Sequence, residues 1–367
     1  MNNTLINIAK QLDKIAKNGK KAQLIYAFNG TGKTRLSQAF KEFIVSQDKA
    51  DEEDSGVLTR HKILYYNAFT EDLFVWDNDQ YQQGEHQLSI QPNSFTDWIL
   101  KEQGQEQNVA RYFQAYTQQN LTPHFNEDFS AITFSLAAGN DQRIDNIKIS
   151  KGEENNLIWS IFFTLISLVI AERNIAEKSE RSTNEFDQLR YVFIDDPVSS
   201  LDENHLIQLA VDIAQLIKSS ESDIKFIITT HNPLFYNVLY NELGLKNGYI
   251  LRRLADGYFE LEEKKGDSNH SFSYHLYLKQ LLQEAIKENK IERYHFTLLR
   301  NLYEKTACFL DYPKWSELLP DDIYLTRIIN FTSHSTLSNE MVPEPSEPEK
   351  QIVAFLLNHL LENYNFN

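Results

Sequence analysis

The sequence predicts an α/β domain built on a mostly parallel sheet, followed by a mainly α-helical domain. Three observations carry this. Short β-branched and aromatic runs alternate with helical patterns from Gln23 to Thr229, as they do where crossover helices join parallel strands. Beyond about residue 275 the apolar spacing turns helical and strand signal fades. A length of 367 residues suits about two domains. The change falls between residues 255 and 275, giving domains 1–263 and 264–367.

The first strand is the apolar run 23–28, which ends in a glycine-containing loop, Asn29 to Gly32, before a helix from Lys33 to about Val45. Residues 47–60 are polar and acidic and read as surface loop. Ile63 to Tyr66 reads as a strand, and the Asn-, Gln- and Asp-rich stretch 77–94 as loop. Residues 153–176 are apolar all round, the pattern of a buried helix. Within them Leu157 to Ala171 is the longest apolar run. Broken by Ser160, Thr164 and Ser167, it falls short of the ~18–20 residues a membrane span needs. Leu189 to Ile194 is a strand that ends in two aspartates, a helix follows from about Asn204 to Lys218, and Lys225 to Thr229 is another strand. Pro343 to Pro348 reads as an exposed linker before an amphipathic helix at about 349–363.

Composition narrows the function. The chain is 41% hydrophobic and 12% aromatic, enough for a sizeable core. Its formal net charge of -16 repels phosphate backbones at long range. That argues against a protein that coats nucleic acid and leaves room for a local site. The single cysteine, Cys308, excludes an intrachain disulfide or a thiolate zinc site and fits a reducing cytoplasm. Met1 to Lys21 has scattered charges and no signal-peptide core, so no membrane association is expected.

The strongest motif is Ala27-Phe-Asn29-Gly30-Thr31-Gly32-Lys33-Thr34. It matches the P-loop pattern except that Ala27 replaces its first glycine. Gly30 and Gly32 let backbone N–H groups curl around phosphates, Lys33 supplies a cation, Thr34 offers a hydroxyl to Mg²⁺, and the helix N-terminus faces the anion. Alanine is tolerated at position 27 if φ there is negative. An apolar strand then delivers Asp195 and Asp196, a Walker B arrangement in which Asp195 holds Mg²⁺ and Asp196 orients the attacking water.

Further motifs resemble those of ATP-binding-cassette (ABC) ATPases. Ile149-Ser150-Lys-Gly152-Glu153-Glu154 is similar to the signature LSxGE, Ser199-Ser-Leu-Asp202 to the D-loop, and His231 to the switch histidine. Each is weak alone, but five in the family's order are strong. Most ABC ATPases carry glutamate where this chain has Asp196, so slow hydrolysis is expected. In such proteins Ser150 and Gly152 reach the γ-phosphate bound by a second protomer, which implies a head-to-tail homodimer. Gln91 is one candidate for the Q-loop glutamine. No sustained heptads lie between the P-loop and the signature, so a long DNA-tethering coiled coil of the SMC kind is not expected.

In the second domain, Phe296 to Phe309 reads as an amphipathic helix with Leu298, Leu299, Leu302, Tyr303 and Phe309 on its apolar side. Arg300 and Glu304 stand four apart and face the same way, which taken alone describes an ordinary surface ion pair. Arg327 and His334, with Asn330 between them, resemble the paired motif of HEPN-type ribonucleases. Arginine, glutamate and histidine together make RNA cleavage without a metal possible. A base takes the 2′-OH proton, an acid protonates the leaving oxygen, and a guanidinium stabilises the phosphorane. Glu304 and His334 can each fill the acid or base role.

Over nearly its whole length the chain resembles PrrC-type anticodon nucleases. The most specific stretches are YAFNGTGKTRLS (26–37), KILYYNAFTEDLF (62–74), SKGEE (150–154), YVFIDDPVSSLD (191–202), GDSNHSFSYH (266–275), RYHFTLLRNLYEKTA (293–307) and RIINFTSHSTLSNE (327–340). The resemblance implies an ABC-type head and a HEPN-like nuclease domain. It implies cleavage of lysine tRNA in the anticodon loop, 5′ of the wobble base, to 2′,3′-cyclic phosphate and 5′-OH ends. It assigns catalysis to Arg300, Glu304 and His334, and substrate recognition to Lys264 to Tyr274, with Asp267 beside Ser268 and Asn269 reading the modified base. Lys265 and His270 also fall within that stretch, and GDSN is also good turn sequence. The resemblance further implies ATP or GTP with Mg²⁺, dTTP as a regulator, a dimer or dimer of dimers, and silencing by a type I restriction–modification complex. Two other functions fit parts of the chain: a DNA-directed ABC ATPase, and an ATPase whose helical domain only docks another effector.

Overall fold

The computed structural model describes residues 4–46, 62–66, 72–76, 86–117, 120–138, 142–198, 203–254, 256–265, 274–332 and 345–364. The chain forms two compact units, Met1–Asp267 and Ser268–Asn367. In chain order the first contains α1 (Leu5–Lys17), β1 (Ala22–Tyr26), α2 (Lys33–Ser46), β2 (Ile63–Tyr66), β3 (Phe74–Trp76), β4 (Leu88–Ile90), α3 (Glu106–Tyr116), β5 (Leu121–Phe125), β6 (Ala131–Ala138), β7 (Gln142–Ile144), α4 (Lys151–Asn174), β8 (Tyr191–Asp195), α5 (Glu203–Ser219), β9 (Lys225–Thr230), α6 (Pro233–Glu242), β10 (Asn247–Arg253) and β11 (Phe259–Lys265). The second contains α7 (Tyr274–Lys287), α8 (Arg293–Phe309), α9 (Ile323–Thr332) and α10 (Glu347–Asn363).

The main sheet has the order β11-β10-β1-β9-β8-β2. Its strands pair in parallel except β10 with β11, so this α/β unit carries a mixed sheet. Strands β1, β8 and β9 are buried nearly throughout, as a sheet covered on both faces requires. On one face α1 and α2 pack through Ile8, Leu12, Leu36 and Phe40 against Ile25, Phe193 and Ile227. Tyr26 and Tyr66 point to the opposite face, where they meet Tyr236 of α6 and Trp159 of α4.

Several elements differ from the sequence reading. Helix α1 lies in the stretch whose scattered charges mask a helical pattern, and it buries Leu5, Ile8, Ala9, Leu12 and Ala16 at helical spacing. Its buried Asp13 accepts a hydrogen bond from the Tyr191 hydroxyl at 2.6 Å. A second, antiparallel sheet runs β3-β4-β6-β5, with β7 on β6. It takes Leu88 to Ile90 out of the stretch expected to be loop. Pairing across the sheet with β3 and β6 decides that segment, and such pairing leaves little trace in a three-residue run. Helix α4 is long and apolar enough to cross a membrane by length and composition, yet most of it is buried against protein. Lys264 and Lys265 complete β11.

In the second unit, α7 to α10 surround a core that includes Leu299, Leu302, Tyr303, Ile328, Val353 and Leu356. Leu298 packs at its margin. Phe309 does not belong to the apolar side expected of it: it is 88% exposed, because it is the last residue of α8, where the chain turns away from the core. Pro348 stands in the first turn of α10 rather than in a linker, beside a capping box between Ser346 and Glu349.

Gly248 of β10 leaves no room for a side chain. A Cβ there would lie 1.7 Å from the Tyr236 hydroxyl oxygen and 2.9 Å from its ring carbon. Gly248→Ala is therefore expected to lower stability by about 1–3 kcal/mol, the range for overpacking a filled core. Urea unfolding measures this, and Tyr236→Phe, by removing the colliding oxygen, recovers part of the loss.

Candidate functional site

Strand β1 ends at Tyr26, and the chain enters the P-loop with Ala27 fully buried and without a positive φ. This meets the condition under which alanine replaces the first glycine. Gly30 and Gly32 take φ of +78° and +108°, a region that side chains with a Cβ disfavour. Phe259 of β11 lies 3.4 Å from where a Cβ on Gly32 would sit. Helix α2 then begins at Lys33.

The parallel register aligns the ends of three strands. Tyr26 lies opposite Thr230, and Asp195 opposite Thr229. The Lys33 ammonium, buried, stands 3.1 Å from Asn29 Oδ1, 3.3 Å from the Ala27 carbonyl and 3.3 Å from Asp196 Oδ2. Asp196 adopts a φ of 54°, a left-handed conformation that aspartate tolerates better than most residues. This turns its carboxylate toward His231, whose Nδ1 lies 2.6 Å from Oδ2. The His231 backbone N–H and the Thr230 hydroxyl donate to Oδ1, each at 3.3 Å.

Asp195 occupies the next layer. It accepts hydrogen bonds from Thr34 at 2.7 Å and from Thr229 at 2.5 Å. A hydroxyl and a carboxylate side by side are hard oxygen donors of the kind Mg²⁺ prefers, so Thr34 and Asp195 fit the ion. The two aspartates differ electrostatically. Burial pushes the Asp195 carboxyl above the usual carboxylate range, more than its two hydroxyl donors pull it down. Burial also opposes ionisation of Asp196, but the His231 hydrogen bond and the Lys33 charge outweigh it and hold that carboxyl below the usual range.

Thus P-loop residues 29–34, Asp195, Asp196 and His231 converge at one edge of the sheet. Thr229 also belongs to this cluster, and sequence reading missed it. The only signal was a threonine pair just before His231, in a run that reads as ordinary strand. Ser150 and Glu153 stand at the N-terminus of α4, where they form a capping box: Glu153 accepts from Ser150 N–H at 2.7 Å, and the Ser150 hydroxyl accepts from Glu153 N–H at 3.3 Å. Gly152 lies in the same first turn. Glu154 is buried, held by Trp76 Nε1 at 2.9 Å and Lys151 at 2.6 Å. Gln91 is exposed beyond β4. Asp202 and the rest of the D-loop stretch lie outside the described residues.

In the second unit Arg300 Nε donates to Glu304 Oε1 at 2.7 Å on a half-exposed face of α8. The guanidinium also lies over the Trp315 ring, 5.8 Å from its centroid. Ile328, next to Arg327, is buried in the core that α8 shares. His334 and the segment with Asp267, Ser268 and Asn269 lie outside the described residues.

No protein-family model matches the chain. Anticodon nuclease of Escherichia coli is 60% identical to it over 388 residues, an alignment that covers 100% of this chain and 98% of that relative. The chain belongs to the anticodon nuclease family. Among solved structures, this anticodon nuclease family member shows a slight likeness to an SMC head domain from Thermotoga maritima. That likeness has 13% identity and a TM-score of 0.31, over 67% of this chain and 91% of that one. It shows another to an SmcHead bound to the C-winged helix domain of ScpA, with 11% identity and a TM-score of 0.33, over 66% and 90%. Scores this low carry no argument. The mixed sheet and its P-loop edge are by themselves consistent with an ATPase head.

The opposed shifts of the two aspartates have a measurable consequence. A carboxyl whose folded pKa is raised gains a proton on folding as pH falls through that value, so ionised Asp195 destabilises the nucleotide-free protein at neutral pH. Asp195→Asn is expected to raise the unfolding midpoint there, with the gap over wild type closing on acidification. Asp196, held below the usual range, stabilises at neutral pH and loses that contribution only as pH falls through its depressed value. Asp196→Asn should therefore lower the midpoint. Calorimetry without nucleotide or Mg²⁺ from neutral pH to about pH 4 checks both signs.

Proposed function

We propose that this chain is a nucleotide-gated anticodon nuclease that cleaves lysine tRNA 5′ of the wobble base. The observation that carries this reading is the 60% identity to anticodon nuclease over the full chain. Two local arrangements support it: the Lys33–Asp196–His231 cluster with Asp195 beside it, and the Arg300–Glu304 pair on α8.

In the helical unit, which we take to be a HEPN-like nuclease domain, Arg300, Glu304 and His334 perform the cleavage without a metal. Glu304 and His334 divide the two proton transfers, one taking the 2′-OH proton and the other protonating the departing 5′-oxygen. Arg300 stabilises the phosphorane between them. The products carry a 2′,3′-cyclic phosphate and a 5′-OH. Asp267, with Ser268 and Asn269, reads the modified wobble base, an acid facing an amine-bearing uridine.

The ATPase unit gates this centre. Asn29 to Thr34 hold the phosphates of ATP or GTP, and Thr34 and Asp195 hold Mg²⁺, which neutralises phosphate charge when bound. Asp196 and His231 orient water, slowly because aspartate is one methylene shorter than glutamate. Ser150, Gly152, Glu153 and Asp202 complete the site of a second copy, so the heads work as a head-to-tail homodimer, and two such dimers form the larger assembly. In a cytoplasmic setting dTTP regulates the same unit, and a type I restriction–modification complex keeps the nuclease silent.

Purified protein incubated with total tRNA and GTP or ATP should yield 5′-OH ends at one position of the lysine tRNA anticodon loop. Cuts spread over many tRNAs, or cuts outside anticodon loops, overturn the reading. His334→Ala should slow cleavage by about 10²–10⁴-fold, the usual cost of losing a general acid or base. Lys33→Ala should leave cleavage unresponsive to added nucleotide. Hydrolysis stimulated by DNA with no tRNA cleavage would point instead to a DNA-directed ATPase.

A further inference from the structure

Arg300 projects from a half-exposed helix face, where a long side chain has many rotamers. A guanidinium stabilises an anionic phosphorane through N–H groups that all lie in one plane, so the orientation of that plane decides how well it works. Two contacts with described residues constrain it. Glu304 takes the Nε edge at 2.7 Å. The second is with Trp315, over whose indole ring the guanidinium carbon lies, 5.8 Å from the ring centroid, within the range in which an indole attracts a cation.

Trp315 is itself held. It opens the short helical turn Trp315–Leu318, whose Leu318 is fully buried. Its ring meets the edge of Tyr303 at 6.4 Å and 67°. Tyr303 is buried in α8 between Arg300 and Glu304 in sequence order, and its hydroxyl donates to the Leu356 carbonyl of α10 at 2.9 Å. The helical core is thereby connected through Tyr303 and Trp315 to the Arg300 guanidinium.

We propose that Trp315 is a positioning residue of the ribonuclease centre: its indole face sets the plane of the Arg300 guanidinium for the scissile phosphate. This rests on the reading of Arg300 as the group that stabilises the phosphorane. Trp315 acts through Arg300 and takes no proton.

The test is a series at position 315 assayed on lysine tRNA, with nucleotide hydrolysis measured in parallel. Cleavage kcat should fall in the order wild type, Trp315→Phe, Trp315→Met, as the π face weakens and then disappears. The Met variant should lose about ten-fold, with KM and nucleotide hydrolysis unchanged. In an Arg300→Lys background, which lacks the planar group, Trp315→Met should add little to the loss, as expected of coupled residues. Equal kcat in all three proteins, or a full ten-fold added loss in the Arg300→Lys background, overturns the proposal. If Trp315→Met lowers the unfolding midpoint, the comparison is made at a temperature where every variant is folded, and the same outcomes decide. Arg300→Ala separates the two claims. Wild-type cleavage by that variant removes the reading of the centre itself. Loss of cleavage there with no effect at position 315 removes only the role of Trp315.

Discussion

The parallel register of β1, β9 and β8 is the constraint on which the nucleotide edge depends. It places Tyr26 opposite Thr230 and Asp195 opposite Thr229, so three chain segments leave the sheet on the same side. Were β8 to slip by one residue, the alternation of faces would reverse. The Asp195 carboxylate would then leave Thr34 and Thr229, and Asp196 would lose both Lys33 and His231. The burial of all three strands enforces the register, since a slip would move Phe193 out of the core of α1 and α2.

That edge concentrates charge in a buried place. Lys33 and Asp195 are nearly inaccessible to solvent, and an unpaired buried charge costs several kcal/mol, on the order of the whole stability of a domain. The arrangement distributes the cost unequally. Asp196 is paired with Lys33 and His231 and stays ionised. Among the described residues the side chains that hydrogen-bond to Asp195 are the neutral hydroxyls of Thr34 and Thr229, and burial outweighs them and the Lys33 charge, so its charge is the less stable one. A cation beside it would relieve that penalty, which couples stability of the head to occupancy of the nucleotide site.

The helical unit solves a different problem. Its Arg300–Glu304 ion pair is half exposed. An exposed ion pair of this kind is worth little to stability. Order comes instead from the core beneath, where Tyr303 occupies the sequence position just before Glu304 and is anchored to α10. The same turn of α8 thus presents polar groups outward and a rigid aromatic inward, and Trp315 bridges the two.

The sequence by itself determined the local elements of the nucleotide edge. Its P-loop, the strand into Asp195 and Asp196, and the strand before His231 each rest on short-range signals: glycines that need positive φ, β-rich runs, and a helix start. It also set Arg300 and Glu304 on one helix face, which is a matter of spacing alone. Only the tertiary structure decided that Asp196 pairs with Lys33, that Thr229 donates to Asp195, that Phe309 faces out, that β3 to β7 form an antiparallel sheet, and that Trp315 lies over Arg300. Those outcomes join residues far apart in the chain, or depend on where a helix ends against its neighbours. Such contacts form once strands pair and cores fill, and no spacing within a single element encodes them.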